Sequence, residues 1–282
     1  MTNADKHPAL ALTFWGVRGS IPTPVAANLG HGGNTACLSI DRGDAILILD
    51  AGSGIRTLGR DLLARPALPE IHLLFTHFHW DHIQGLPFFE PLFDPEARIV
   101  LYSFHPPEQL RAVLAGQMVA PYFPVDFQQV AGHLEFHQFE HSTRTIAGLA
   151  VQSFDLNHPQ RSQGYRISDG RHSIVIATDH EHGAPDADAR LNAIAQKADL
   201  LVYDAQYTPQ EYEQRHGWGH STWRDAVTVA REAGIPRVVL FHHDPAHDDD
   251  ALEAILAEAQ DVFPGTQSAR EGMTFCVTPP AH

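Results

Sequence analysis

Apolar residues fall along this chain in short runs bounded by turn-forming residues, and each run has the length of a strand. The first strands are predicted at Leu12–Val17, Ala36–Ile40 and Ala45–Leu49, with Asp41-Arg42-Gly43-Asp44 turning between the last two. Asp50-Ala51-Gly52-Ser53-Gly54 then leads into a short helix over Ile55–Ala64, and Ile71–Phe75 reads as a further buried strand. That glycine-rich turn lacks the Gly-Lys-Ser/Thr ending of a phosphate loop. One helix, opened by Pro107 and Glu108, is predicted between Pro87 and Pro124. With Pro121-Tyr122-Phe123-Pro124 this stretch reads either as a wall or lid over a site or as packed loop.

The second half alternates strands and helices. Strands are predicted near Leu134–Phe139, Leu149–Phe154, Gly164–Ile167, Ser173–Thr178, Leu200–Tyr203, Val238–His242 and Thr274–Val277. Thr208-Pro209-Gln210-Glu211 has the form of a capping box with proline at the first helical position. A helix over Trp223–Ala233 carries Trp223, Ala226, Val227 and Ala230 on one face and stops at Gly234 and Pro236. Another follows Asp248-Asp249-Asp250, whose charges suit a helix N-terminus. No repeat or linker interrupts the chain, so residues 1–282 are expected to form a single domain, with residues 1–10 as a tail.

Composition narrows the classes. A 43% hydrophobic content supplies a core. Cys37 and Cys276 give no disulfide framework and no zinc-ribbon spacing; both lie in apolar, strand-like surroundings and read as buried thiols. Met1 to Pro8 has no signal-peptide pattern and no run approaches a membrane span, so a cytoplasmic protein without membrane contact is expected. The net charge of −15, with Lys6 and Lys197 the only lysines, disfavours a grip on long nucleic acid. A small anion held by metal ions remains compatible.

The candidate chemistry is concentrated in Thr76-His77-Phe78-His79-Trp80-Asp81-His82. In extended chain His77 and His79 point to one side. Asp81 and His82 come after the strand, where the chain turns, and can face a second point. Imidazole suits zinc, and carboxylate widens the choice toward harder ions, so one segment offers donors to two adjacent metals. The alternative is a histidine-rich loop without metal.

This H-x-H-x-D-H segment resembles the signature of the metallo-β-lactamase superfamily, and later motifs follow in that superfamily's order: Asn157-His158-Pro159, the strand ending at Asp179, and the strand ending at His242. The resemblance implies an α/β, four-layer αββα sandwich. It also implies two divalent ions, zinc or manganese. Metal one takes His77, His79 and His158, metal two takes Asp81, His82 and His242, and Asp179 bridges. His243 competes with His242, which is preferred as the strand-end residue. Asp50 is expected to give support behind the ligands. His31, His180 and His182 stay open as support, and His133, His137 and His141 read as surface residues.

Val202-Tyr203-Asp204-Ala205 and Gly219-His220-Ser221-Thr222 resemble paired elements of the phosphodiesterase branch, which includes ribonuclease Z and the phosphoribosyl cyclic phosphodiesterases. There a carboxylate orients a histidine beside the metals. Asp204 and His220 would be that pair, counted as catalytic together with Asp81. The other reading of Gly219–Thr222 is a helix start capped by Ser221 or Thr222. Gly16–Pro22 and Gly32–Thr35 resemble loops of bacterial small-substrate phosphodiesterases, with Arg18 and Asn34 as substrate-binding candidates and Arg161 a weaker one; bracing of strands is the alternative. The implied enzyme hydrolyses a small phosphodiester, cyclic ones included, by attack of a metal-bridging hydroxide with His220 as general acid. The competing functions are a ribonuclease Z-like tRNA-processing activity, a thioester or lactam hydrolase, and a non-catalytic metal sensor. A cysteine typical of lactamases is replaced by Asp179. A homodimer is the prior for such a family.

Overall fold

In the computed structural model, which describes residues 10–277, two seven-stranded sheets lie face to face with helices on both outer sides. The first sheet contains β1 (Leu10–Gly16), β2 (Cys37–Asp41), β3 (Ala45–Leu49), β4 (Glu70–Leu74), β5 (Ile99–Ser103) and β6 (Leu134–Gln138) in that order. The second contains β7 (Thr143–Ile146), β8 (Leu149–Leu156), β9 (Ser162–Ser168), β10 (Ser173–Ala177), β11 (Leu200–Asp204), β12 (Val238–Phe241) and β13 (Thr266–Ser268), again in chain order. The last strand, β14 (Thr274–Val277), returns to pair antiparallel with β1 at the edge of the first sheet.

Side-chain alternation builds three apolar layers from these strands. Leu47 and Leu49 of β3 meet Ile174 and Ile176 of β10 and Val239 and Phe241 of β12 between the sheets. Ile46 and Ile48, one residue out of phase, face α1 (Ile55–Leu63) and α3 (Pro107–Gln117) through Ile55, Leu58, Leu110 and Leu114. On the other side Val175, Leu201 and Val238 pack on α4 (Pro185–Ala195), α6 (Trp223–Glu232) and α7 (Asp249–Val262) through Leu191, Trp223 and Leu252. Strands buried on both faces read as continuous apolar runs, which makes β3, β4, β10, β11 and β12 legible in the sequence. Two short helices complete the set: α2 (Trp80–Ile83), directly after the histidine segment, and α5 (Pro209–Tyr212), which has the predicted capping box.

Several expectations change. The stretch 87–124 is no single insertion over the site. It contains β5, fully buried in the first sheet, which the proline-rich flanks obscured. The helix α4 and the edge strands β7 and β13 were not predicted. In α4 only Leu191 and Ala195 are buried, too few to leave a periodic apolar face. Cys37 is buried as expected, but Cys276 is exposed, because on the edge strand β14 only Phe275 and Val277 face inward. Arg18 and Asn34 are also reassigned, as described below. The tail expected over residues 1–10 lies outside the described residues, apart from Leu10, which opens β1. Among the described residues no helix is long and apolar enough to cross a membrane.

Candidate metal centre

The parallel strands β3 and β4 of one sheet and β10, β11 and β12 of the other end at the same rim. The pairings Ala177↔Tyr203 and Asp204↔Phe241 bring the ends of β10, β11 and β12 level. Three residues just past strand ends, Asp50, Asp179 and His242, have left-handed backbones with φ of 61°, 56° and 63°. This conformation is uncommon outside glycine, though Asp and His tolerate it better than most. It turns each side chain off the strand line and into the rim. At the same rim His158 lies in the turn between β8 and β9, and His77 and His79 lie between β4 and α2, which carries Asp81 and His82.

The structure brings His77, His79 and His158 together, and beside them Asp81, His82 and His242, with Asp179 reaching both sets. His158 Nε2 is 3.2 Å from His79 Nδ1. His242 Nε2 is 3.1 Å from Asp81 Oδ2 and 3.3 Å from His82 Nε2. Asp179 Oδ1 is 3.7 Å from His77 Nε2 and 3.4 Å from His242 Nε2, while its Oδ2 is 3.2 Å from His82 Nε2. His243 points elsewhere, donating from Nε2 to the Ala269 carbonyl at 3.0 Å.

The ring nitrogens on the far side of each histidine decide what these atoms can do. His82 Nδ1 donates to Asp50 Oδ2 at 2.8 Å, His158 Nδ1 to the Gly219 carbonyl at 2.8 Å, and His242 Nδ1 to Gln206 Oε1 at 2.9 Å. His79 donates from Nε2 to Gln160 Oε1 at 2.9 Å. Thr76 Oγ1 donates to Asp50 Oδ2 and so accepts from His77 Nδ1 at 3.0 Å. With its one proton engaged outward, each neutral ring presents a bare lone pair to the cluster. Lone pairs 3.2–3.3 Å apart, as between His79 and His158 or His82 and His242, cannot hydrogen-bond one another. His77 Nε2 is buried and has no hydrogen-bond partner. Imidazole lone pairs and carboxylates oriented in this way fit divalent cations, with Asp50, Gln206, Gln160 and the Gly219 carbonyl fixing the tautomers. Burial opposes charge on Asp179 and Asp81, yet the imidazoles of His242 and His82, which carry the cluster's positive charge when protonated in place of a cation, hold both carboxyls well below the usual range.

A third cluster fails the same test. His180, His182 and Asp188 lie close enough to share an ion. However, His180 Nδ1 accepts the Asn157 N–H at 3.0 Å, so its proton sits on Nε2 and is donated to Asp188 Oδ1 at 3.0 Å. That ring has no lone pair to give. It braces the loop that carries His158.

Close approach explains two glycines. A Cβ at Gly52 would sit 2.3 Å from the Asp81 carbonyl oxygen, so only glycine lets α2 dock against the strand end. Gly219, at φ +88°, would put a Cβ 2.3 Å from His158 Nδ1, the atom its own carbonyl orients.

At the edge of the donor cluster His220 Nδ1 donates to Asp204 Oδ2 at 2.7 Å. Its ring stacks on His242 at 4.9 Å and meets His158 edge-on at 5.2 Å. Asp204 also accepts from the backbone N–H groups of Asp179, Gln206 and Ser221, at 3.0, 3.2 and 3.1 Å. Burial lowers the His220 pKa, but the Asp204 carboxylate more than offsets it, and with Asp179 and Asp81 contributing it is pushed up to about 9. Both readings of this segment coexist: Thr222 caps α6 with a capping box to Asp225.

The substrate-binding candidates sit elsewhere. Arg18 is fully buried, donating from Nε to the Gly32 carbonyl at 2.8 Å and from Nη1 to the carbonyls of Asp244 and His247 at 3.2 and 2.5 Å. Its guanidinium is a buried strut between the glycine-rich loop and the loop after β12. Asn34 donates from Nδ2 to Glu271 at 2.9 Å and accepts from Ser53 Oγ at 3.0 Å, which commits its amide to bracing. Arg161 pairs with Asp155 and Glu140. His137 and His141 lie at the surface, whereas His133 Nε2 is buried and unpartnered. Thr76, Gln160 and Gln206 went unrecognised in the sequence, which offers no spacing signal for an oxygen that meets its histidine only in three dimensions.

Fold and donors together define a double-sheet sandwich with a histidine and aspartate cation site on its rim. The chain matches the beta-lactamase superfamily domain over residues 46–243 and belongs to that family. A ribonuclease Z from Haloarcula marismortui is 24% identical over 307 residues, spanning 94% of this chain and 96% of its own length. Among solved structures, the metallo-beta-lactamase fold protein YhfI from Bacillus subtilis superposes with a TM-score of 0.71 at 20% identity, covering 95% of this chain and 99% of its own. A diphosphatase from the PhnP family gives 0.67 at 20% identity, with 95% and 99% covered.

Proposed function

We propose that the protein is a metal-dependent phosphodiesterase that hydrolyses a small phosphodiester with two divalent ions, zinc or manganese. His77, His79 and His158 would hold one ion, Asp81, His82 and His242 the other, and Asp179 would bridge. When bound, such a pair supplies an activated water and neutralises charge on phosphoryl oxygens. The observation that carries the reading is the Asp204–His220 pair at 2.7 Å, packed against two of the imidazoles of the donor cluster.

Breaking a phosphodiester leaves an alkoxide that must gain a proton. Asp204 holds His220 by Nδ1, which leaves Nε2 as the proton donor toward the departing oxygen. The same carboxylate favours the imidazolium, the form a proton donor needs. The two carboxylates of the cluster and the five imidazoles fix where the phosphoryl group sits relative to that proton.

The test is turnover of bis(p-nitrophenyl) phosphate by metal-stripped protein reconstituted with zinc or manganese, beside nitrocefin and a thioester. Turnover of the phosphodiester alone, following added metal, is expected. Turnover of only the controls would overturn the reading. A ribonuclease Z-like activity is the second reading, supported by the near full-length likeness to that relative. The net charge of −15 opposes it. Metal-dependent cleavage of a precursor tRNA, steeply weakened by salt, would favour it.

A further inference from the structure

His180, Glu181 and His182 directly follow Asp179 past the end of β10, and their polar groups reach two other loops of the rim. The Glu181 N–H donates to the Asn157 carbonyl at 2.8 Å, and Asn157 Nδ2 donates to the Glu181 carbonyl at 2.7 Å. This pair fixes Glu181 against the residue that precedes His158. Its half-buried carboxylate meets the segment that joins α5 to α6. Oε1 accepts from the Gly217 N–H at 2.6 Å and from the Tyr212 hydroxyl at 2.9 Å. Oε2 accepts from the Gly219 N–H at 2.8 Å.

That segment needs glycine and is loosened by it. A Cβ at Gly219 would lie 2.3 Å from His158 Nδ1 and 2.4 Å from Pro159. Gly217 and Gly219 both have left-handed backbones, with φ of 82° and 88°. Glycine has wide conformational freedom, so the pair leaves the segment without a preferred path of its own. Yet the position of Gly219 matters twice, because its carbonyl takes the His158 Nδ1 proton at 2.8 Å and the next residue is His220. Charge-assisted bonds from one carboxylate to both glycine N–H groups supply the missing order. On the other side of His220, Ser221 Oγ donates to the His180 carbonyl and accepts from the His182 N–H at 3.0 Å. His220 is therefore flanked by two residues that both hang on the 180–182 segment.

We propose that Glu181 is a positioning residue that holds the metal donor His158 and the proton donor His220 in register through one loop. It acts through Gly219, whose carbonyl sets the tautomer of His158 and whose chain continues into His220. The inference rests on the proposed function for the role of His220, whereas its His158 half needs only a bound metal.

The experiment uses three variants. Glu181→Gln keeps the side-chain shape and one oxygen, Glu181→Ala keeps neither, and Tyr212→Phe removes one donor but leaves both glycine contacts. Zinc affinity is read by chelator competition, which needs no turnover. Proton donation is read by comparing kcat for methyl phenyl phosphate with kcat for methyl p-nitrophenyl phosphate. Phenolate is the more basic leaving group and depends more on an added proton. Glu181→Ala should weaken binding of one zinc ion about tenfold and slow the phenyl ester about tenfold more than the p-nitrophenyl ester. Glu181→Gln should fall between that variant and wild type, and it carries the test if Glu181→Ala does not fold. Tyr212→Phe should match wild type in both readouts.

Equal slowing of both esters at wild-type zinc affinity would overturn the proposal and leave Glu181 a part of the scaffold. A change in only one readout, with both esters turned over, would overturn it too, since a shared loop moves both histidines. So would a Tyr212→Phe effect as large as that of Glu181→Ala. Turnover of neither ester by zinc-loaded wild-type protein would sink the phosphodiesterase reading. Zinc affinity lowered by Glu181→Ala and not by Tyr212→Phe would then still uphold the clamp on His158.

Discussion

Asp50 and Asp204 hold equivalent posts in the two sheets. Each lies at the end of a parallel strand, each is fully buried, and each accepts the Nδ1 proton of a histidine, at 2.8 Å from His82 and 2.7 Å from His220. The difference lies in what the other ring nitrogen meets. His82 Nε2 faces Asp179, Asp81 and His242 inside the donor cluster, whereas His220 stacks on the cluster's edge. In our reading, one carboxylate–imidazole unit therefore builds a metal ligand in the first sheet and a proton donor in the second. Neighbours, not residue type, set the role.

The comparison can be broken by separating metal binding from turnover. His220→Ala should lower kcat on a phosphodiester by about 10²–10⁴-fold while metal content per chain, measured by mass spectrometry, stays at the wild-type level. Loss of metal in that variant would make His220 a ligand and erase the distinction. Asp204→Asn should lower kcat by roughly 10–100-fold, again at full metal occupancy. Asp50→Asn should do the converse: metal affinity, read by chelator competition, falls by roughly 10–100-fold, and activity returns when metal is saturating. If activity stays low at saturation, Asp50 does more than orient His82.

The smallest effect sharpens the boundary between site and scaffold. Arg18→Met strips donors from three buried carbonyls, those of Gly32, Asp244 and His247. Stability should drop by about 3 kcal/mol in urea unfolding, and KM should stay near the wild-type value. A raised KM with unchanged stability would return Arg18 to the substrate.

How much of this was legible differs between the halves. His77, His79, Asp81 and His82 form one segment after one apolar run, so their convergence is nearly a local property. His158, Asp179 and His242 come from the turn after β8 and from the ends of β10 and β12, and only their order along a familiar pattern joined them. Arg18 went the other way. A glycine-flanked arginine looks like an anion binder until the loop after β12 is seen closing over it.

The sequence by itself determined most of the strands buried on both faces, β5 excepted, together with the capping box of α5 and the donor types, because each depends on residues within a turn or a strand of one another. The tertiary structure alone decided which nitrogen of each histidine is bare, where Arg18 is buried, and that Glu181 reaches Gly217 and Gly219. Those properties are sums over neighbours from both sheets, delivered by strand ends that turn left-handed at Asp50, Asp179 and His242, and no local pattern encodes such a sum.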